Sequence, residues 1–194
     1  INVAVYSASM KVPQKEILKQ VMNSTEGLDI LLMNIEALAT KKGYLLADKF
    51  MFDRPALMVI DESTAIKNPK GKRTKAALRL GKVAKYRRVL TGTPITHSPL
   101  DLYAQAEFLS PGLSGCPSFF VFKHTYAQQM RMNLGNRSFD KIIGFKNLEQ
   151  LTETISNFST RVLKSECLDL PDKIYQTREV AMTKHQKLLY LTLK

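Results

Sequence analysis

The 194 residues suffice for one domain with a sizeable core, or for one domain and part of another. Hydrophobic residues at 44% and charged residues at 24% are ordinary for a globular protein, and no apolar run approaches the roughly 18 residues that span a bilayer. A net charge of +12 favours polyanionic partners, nucleic acid being the commonest, while the two cysteines, Cys116 and Cys167, match neither a metal-ligand spacing nor a disulfide framework and so point to a reducing, intracellular setting.

Along the chain, short apolar runs alternate with segments of helical period, the pattern of an α/β domain with a largely parallel sheet. Ile1 to Tyr6 lacks the basic start and long apolar stretch of a signal peptide and reads as the start of a chain cut from something longer. A strand is expected over Val3 to Ser7, and an amphipathic helix over Pro13 to Met22 with Ile17, Leu18 and Val21 inward. Asp29 to Met33 reads as a buried strand followed by a helix through Glu36, Ala37 and Leu38. Ala56 to Ile60 is a third strand running into Asp61, Thr74 to Val83 a helix, and Arg88 to Leu90 the end of a fourth strand. Ser98-Pro99 marks the start of a helix over Leu100 to Leu109. Beyond Ser110-Pro111-Gly112 the chain becomes rich in aromatics, Gln and Met, and helices are expected over Asn147 to Phe158 and from Thr183 onward.

Leu57 to Ile60 delivers two adjacent carboxylates, Asp61 and Glu62, to the end of a buried strand. Ligands of open α/β sheets bind beyond the carboxyl ends of the strands. One carboxylate there can hold Mg²⁺ through its water shell, and the other can orient a water for attack on a γ-phosphate. A strand ending in solvated acids is the plain alternative. The second apolar segment, Val89-Leu90, ends in Thr91-Gly92-Thr93-Pro94, where the two hydroxyls can bond to a carboxylate or water at the neighbouring strand end and Gly92 permits close backbone approach.

Asp61-Glu62-Ser63-Thr64 and Leu90-Thr91-Gly92-Thr93-Pro94-Ile95 together resemble motifs II and III of superfamily 2 helicases, and Ala65-Ile66-Lys67-Asn68 resembles the Swi/Snf-type branch. Met33-Asn34-Ile35-Glu36-Ala37-Leu38 is similar to a segment of that family that approaches DNA. Pro99 to Tyr103 and Phe108 to Pro111 are similar to the helix and loop after motif III. Arg161, Lys164 and Leu170-Pro171-Asp172-Lys173 resemble the passage into a second motor lobe, and Met182 to Gln186 with Tyr190 its entry helix. Thr64 stands where the family usually carries His or a comparable polar residue, and His97 near a place where relatives often carry Asn. No segment matches the phosphate-binding G-x-x-x-x-G-K-[ST], Gly71-Lys72-Arg73-Thr74 being a superficial near miss.

The resemblance implies a RecA-like (P-loop NTPase type) mostly parallel sheet flanked by helices and incomplete on its N-terminal side. Its expected divisions are lobe 1 without its phosphate loop over 1–112, a helical family-specific extension over 113–160, and a connector to an absent lobe 2 over 161–194. It further implies an ATP-dependent, Mg²⁺-requiring motor on duplex DNA. Asp61 would hold the metal through water and Glu62 would activate the attacking water. Thr64, Thr91, Gly92 and Thr93 would couple hydrolysis to DNA contact. The partners implied are DNA, through its backbone, and the second motor lobe of the same protein, with no membrane. The setting would be nuclear in a eukaryote and cytoplasmic in a bacterium or virus, and this piece alone would be inactive.

Ten Lys and Arg residues and no acid lie between Lys67 and Arg88. That density can neutralise several phosphates without reading bases, and Lys67, Asn68, Lys72, Arg73 and Lys75, together with Asn34, are the expected DNA contacts. A solvated helix face is the alternative for the run. Lacking a phosphate loop, the chain also fits a second reading, a non-catalytic nucleic-acid-binding module. Phe119, Phe120 and Phe122 could stack bases or dock a partner, but so tight a cluster is more often core. His97, His124 and His185 are too dispersed to suggest a metal site.

Overall fold

A computed structural model describes the chain apart from residues 8, 53, 136, 168, 170–173 and 194, and apart from the side chains of residues 137, 164 and 165. The expected turn at Leu170-Pro171-Asp172-Lys173 and the side chain of Lys164 thus lie outside the described residues. The chain divides into two units, Ile1–Phe158 and Ser159–Lys194.

In the first unit, β1 (Asn2–Tyr6), α1 (Val12–Asn23) and β2 (Asp29–Met33) form a β-α-β crossover, the strands pairing in parallel from Asn2 opposite Asp29 to Tyr6 opposite Met33. α1 opens with Pro13 in its first turn, where the missing N–H costs nothing, and buries Val21. A second parallel pair joins β3 (Leu57–Ile60) to β4 (Tyr86–Val89), with Leu57 opposite Tyr86 and Ile60 opposite Val89. Between them lie the 3-10 turn Ser63–Ile66 and α3 (Lys72–Val83). The crossovers are of the expected parallel α/β kind, although the ladders join the four strands as two pairs.

The helix expected through Glu36 to Leu38 is a 3-10 turn, Ile35–Ala39, and the sequence reading assigned nothing to the helix after it, α2 (Lys41–Phe52). Thr40 separates the two. Its hydroxyl donates to Ala37 O at 2.7 Å, closing the turn, and accepts from Gly43 N at 3.1 Å, capping α2. Gly43 is required there, because a Cβ would sit 2.2 Å from Ala37 O. Arg54 fastens the two strand pairs: it donates to Asp29 at 2.7 Å and to the carbonyls of Met22 and Ser24 at 3.3 Å.

The main core collects Leu38, Met51, Ile60, Ile66, Leu80 and Phe108 from these elements. A second cluster forms where α4 (Leu102–Leu109) meets α5 (Phe119–Tyr126) and α6 (Leu148–Ser156), around Tyr103, Phe122, Tyr126 and Leu151. Between α5 and α6 the structure departs from the helical extension expected over 113–160. An antiparallel hairpin, β5 (Ala127–Leu134) and β6 (Arg137–Phe145), occupies the middle of that segment, with Arg131 opposite Asp140 and Met132 opposite Phe139. Gly135, at φ +57°, supplies the left-handed residue of its turn. Gln and Met carry little strand propensity, so pairing rather than local preference selects the strand.

The second unit holds α7 (Lys164–Cys167) and α8 (Lys184–Thr192). α8 begins in a capping box, Thr183 and Gln186 each bonding the other's backbone N–H. Among the described residues, no helix is long and apolar enough to cross a membrane.

Candidate functional site

Pairing of β3 with β4 sets the two motif segments side by side. Leu90 N donates to Ile60 O at 2.9 Å and Ser63 N returns to Leu90 O at 3.1 Å, so Asp61 and Glu62 emerge beside Thr91 at the carboxyl ends of parallel strands. Both carboxylates are exposed. Asp61 Oδ1 accepts from Glu62 N at 3.0 Å, while Glu62 itself is left-handed, at φ 48° and ψ 58°. A non-glycine residue there stores about 1–2 kcal/mol of backbone strain, so the surrounding structure must hold it.

What holds it lies immediately downstream. Ser63 is fully buried, and its hydroxyl donates to Gln105 Oε1 at 2.5 Å. The other end of the Gln105 amide donates to Pro94 O at 2.8 Å and to Asp101 O at 2.9 Å. One buried α4 side chain therefore joins the acidic segment to the Thr-Gly-Thr-Pro loop. At the far end of the turn, Ile66 is fully buried and its carbonyl accepts from Thr74 Oγ1 at 3.0 Å. Ser63, Gln105 and Thr74 were missed by the sequence reading. Gln105 carried a usable signal, an amide in the middle of the otherwise apolar Leu102-Tyr103-Ala104-Gln105-Ala106.

The residues expected to couple the motifs take other positions. Thr91 Oγ1 accepts from Thr93 N at 3.2 Å within its own loop, Gly92 is exposed, and Thr64 is half-buried in the turn. The Ser63 hydroxyl instead reaches that loop by way of Gln105 on α4, whose amide donates to Pro94 O. Lys67, expected at DNA, bridges the segments as well: it donates to Thr96 Oγ1 and, at 2.8 Å, to His97 Nδ1, and lies 3.9 Å from Asp101. The Asp101 carboxylate gathers Thr96 N at 3.0 Å, Thr96 Oγ1 at 2.9 Å and His97 N at 2.9 Å. Burial pushes its pKa up, but the bonds from His97 and Thr96, with the charge of Lys67, outweigh this and leave it below the ordinary aspartate value.

Of the remaining expected DNA contacts, Asn34 caps the turn after β2, accepting from Glu36 N at 3.1 Å. Asn68 folds back on itself, accepting from Lys70 N at 3.0 Å. Arg73 reaches across to Glu36 at 2.9 Å, which draws the Asn34 turn and the start of α3 together. Lys72 and Lys75 are exposed and, with Lys41 and Arg79, line an open groove of about 270 Å³ between that turn and α3. Phe122 is buried and Phe119 packs on Tyr103 with ring centroids 5.5 Å apart, so two of the three clustered phenylalanines serve the core. Phe120 is 69% exposed, against His124.

Among the described residues, no group of three or more His, Cys, Asp or Glu is gathered for a metal. Mg²⁺ needs no such cluster, because it keeps much of its water shell and takes one or two carboxylates together with phosphate oxygens. The exposed strand-end carboxylates of Asp61 and Glu62 fit that requirement.

A parallel α/β unit with an acidic pair and a hydroxyl loop at adjacent strand ends fits a helicase-like ATPase domain. The whole chain, residues 1–194, matches the SNF2-related domain, and the chain belongs to that family. It is 34% identical to the TATA-binding protein-associated factor MOT1 of Saccharomyces cerevisiae over 134 residues, 69% of this chain. It is 32% identical to the human TATA-binding protein-associated factor 172 over 133 residues, 68% of this chain. The matched region spans about 7% of the length of each of these relatives. The fold is that of the Sulfolobus solfataricus SWI2/SNF2 ATPase core, solved in complex with dsDNA, at a TM-score of 0.54 and 28% identity, covering 98% of this chain and 40% of that one.

Proposed function

We propose that this chain is part of the first motor lobe of an ATP-dependent DNA translocase and supplies the acidic half of its nucleotide site. The observation that carries the reading is the strained, exposed Glu62 beside Asp61 at the end of β3, held against the Thr91-Gly92-Thr93 loop at the end of β4. Asp61 would hold Mg²⁺ through water, and the ion would supply charge neutralisation at the phosphates. Glu62 orients the attacking water and takes its proton. Thr91 and Thr93 transmit the state of the site to the nucleic-acid face, with Thr64 in the turn after Glu62 and Gly92 in the loop after β4 as further coupling residues. These 194 residues hold no G-x-x-x-x-G-K-[ST], so the role proposed for them is the acidic half of the site and not the phosphate clamp.

Duplex DNA is the partner, contacted through its phosphates by Asn34, Asn68, Lys72, Arg73 and Lys75. The likeness to the Sulfolobus core solved with dsDNA supports DNA as the partner. Residues 161–194 serve as the passage to a second lobe, and the protein acts inside the cell, in the nucleus if eukaryotic. Glu62→Gln in the full-length protein tests the reading. Steady-state ATP hydrolysis should vanish while nucleotide binding persists, and undiminished hydrolysis would sink it.

The groove lined by Lys41, Lys72, Lys75 and Arg79 favours a second reading for the chain in isolation, a non-catalytic nucleic-acid-binding module. Salt-sensitive DNA binding by the isolated chain, without nucleotide binding, is the result that reading requires.

A further inference from the structure

We propose that Gln105 is a positioning residue for Glu62, acting through Ser63; the inference rests on Glu62 being the group that activates water. Glu62 occupies a left-handed conformation that its own side chain does nothing to favour. The residue after it is pinned twice, by its backbone N–H to Leu90 O at 3.1 Å and by its hydroxyl to Gln105 at 2.5 Å. The backbone bond only continues the β3–β4 ladder. The hydroxyl bond sets the direction of the chain as it leaves Glu62, and it is buried, with Ser63 at 0% and Gln105 at 4% exposure, where water cannot replace it.

Gln105 is itself fixed. Its amide N–H groups are taken by Pro94 O and Asp101 O, leaving Oε1 as the acceptor aimed at Ser63. Movement of the Pro94 loop therefore moves the amide, and the amide moves the backbone carrying Glu62. The same side chain offers a route from the Thr-Gly-Thr-Pro loop to the acidic pair that bypasses the hydroxyls of Thr91 and Thr93.

The test uses DNA-stimulated ATP hydrolysis by the full-length protein carrying Ser63→Ala, Gln105→Leu or both. Each single variant should lower kcat about tenfold, with KM for ATP and Kd for DNA within about twofold of wild type, as expected for loss of alignment rather than of binding. The double variant should be no worse than the worse single one, because both remove the same bond. Should Gln105→Leu fail to fold, Ser63→Ala decides alone, since it deletes a single oxygen. Unchanged kcat in Ser63→Ala, or effects that multiply in the double variant, overturns the proposal. Hydrolysis unaffected by Glu62→Gln in the same assay overturns the underlying role of Glu62, and this inference with it.

Discussion

Thr74, in the first turn of α3, donates its hydroxyl to the carbonyl of Ile66 at 3.0 Å, and both residues are sealed in the core. The bond closes the turn that begins just after Glu62 and ties the acidic segment to the basic helix. Thr74→Val keeps the shape but strands a buried carbonyl, which costs about 1–3 kcal/mol. Hydrogen exchange across residues 63–75 in the full-length protein should accelerate accordingly, while that of the β5–β6 hairpin stays unchanged.

Asp101 ties the loop after Thr93 to the start of α4, and its carboxyl titrates below the ordinary aspartate value. A depressed folded pKa means that its contribution to stability is complete above the unfolded pKa of about 3.9 and is lost as pH falls through the folded value. Asp101→Asn should therefore lower the urea midpoint of the chain at pH 7. The gap to wild type should narrow only below about pH 4. A gap of constant size down to about pH 2.5, well below the unfolded pKa, would show that the carboxylate charge contributes nothing.

The groove between the Asn34 turn and α3 predicts a phosphate footprint. Replacing Lys72, Lys75 and Arg79 together with Ala should weaken DNA binding equally for unrelated sequences. It should also reduce the slope of log K against log salt by about 2–3, close to one unit for each phosphate that is no longer neutralised. Titration by fluorescence anisotropy at several salt concentrations measures both.

Phe120 and Phe122 separate stacking from packing. Phe122→Ala opens a hole in the cluster around Tyr103 and Tyr126 and should cost about 3–5 kcal/mol in urea unfolding. Phe120→Ala, at an exposed position, should cost no more than about 0.5 kcal/mol.

Several of these features were legible in the residues alone. Leu57 to Ile60 before Asp61-Glu62, and Val89-Leu90 before Thr91-Gly92-Thr93, announce adjacent strands, and the structure pairs them in parallel. They are not buried throughout, since Leu57, Val59 and Leu90 are exposed and Ile60 alone of β3 is sealed in the core. Local patterning also marked β2, α1 and the helix after Ser98-Pro99, whose periods and caps lie within a few residues of one another. The hairpin was missed because β5 is built largely of polar residues and Met with little strand signal. The Phe and Ile residues of β6 form too short a run to announce a partner, and the register is set by pairing across the turn. α2 was missed because Thr40, its cap, also ends the turn before it.

By itself, then, the sequence determined the parallel α/β frame and the identity of the acidic pair, since alternating apolar runs and strand-end residues are local properties. Only the tertiary structure decided how that pair is held. The left-handed backbone at Glu62, the Ser63–Gln105 bond and the Lys67–Asp101 junction depend on residues about 30 to 40 positions apart. No local pattern encodes such partners; they meet because β3 and β4 pair and α4 packs beneath their ends.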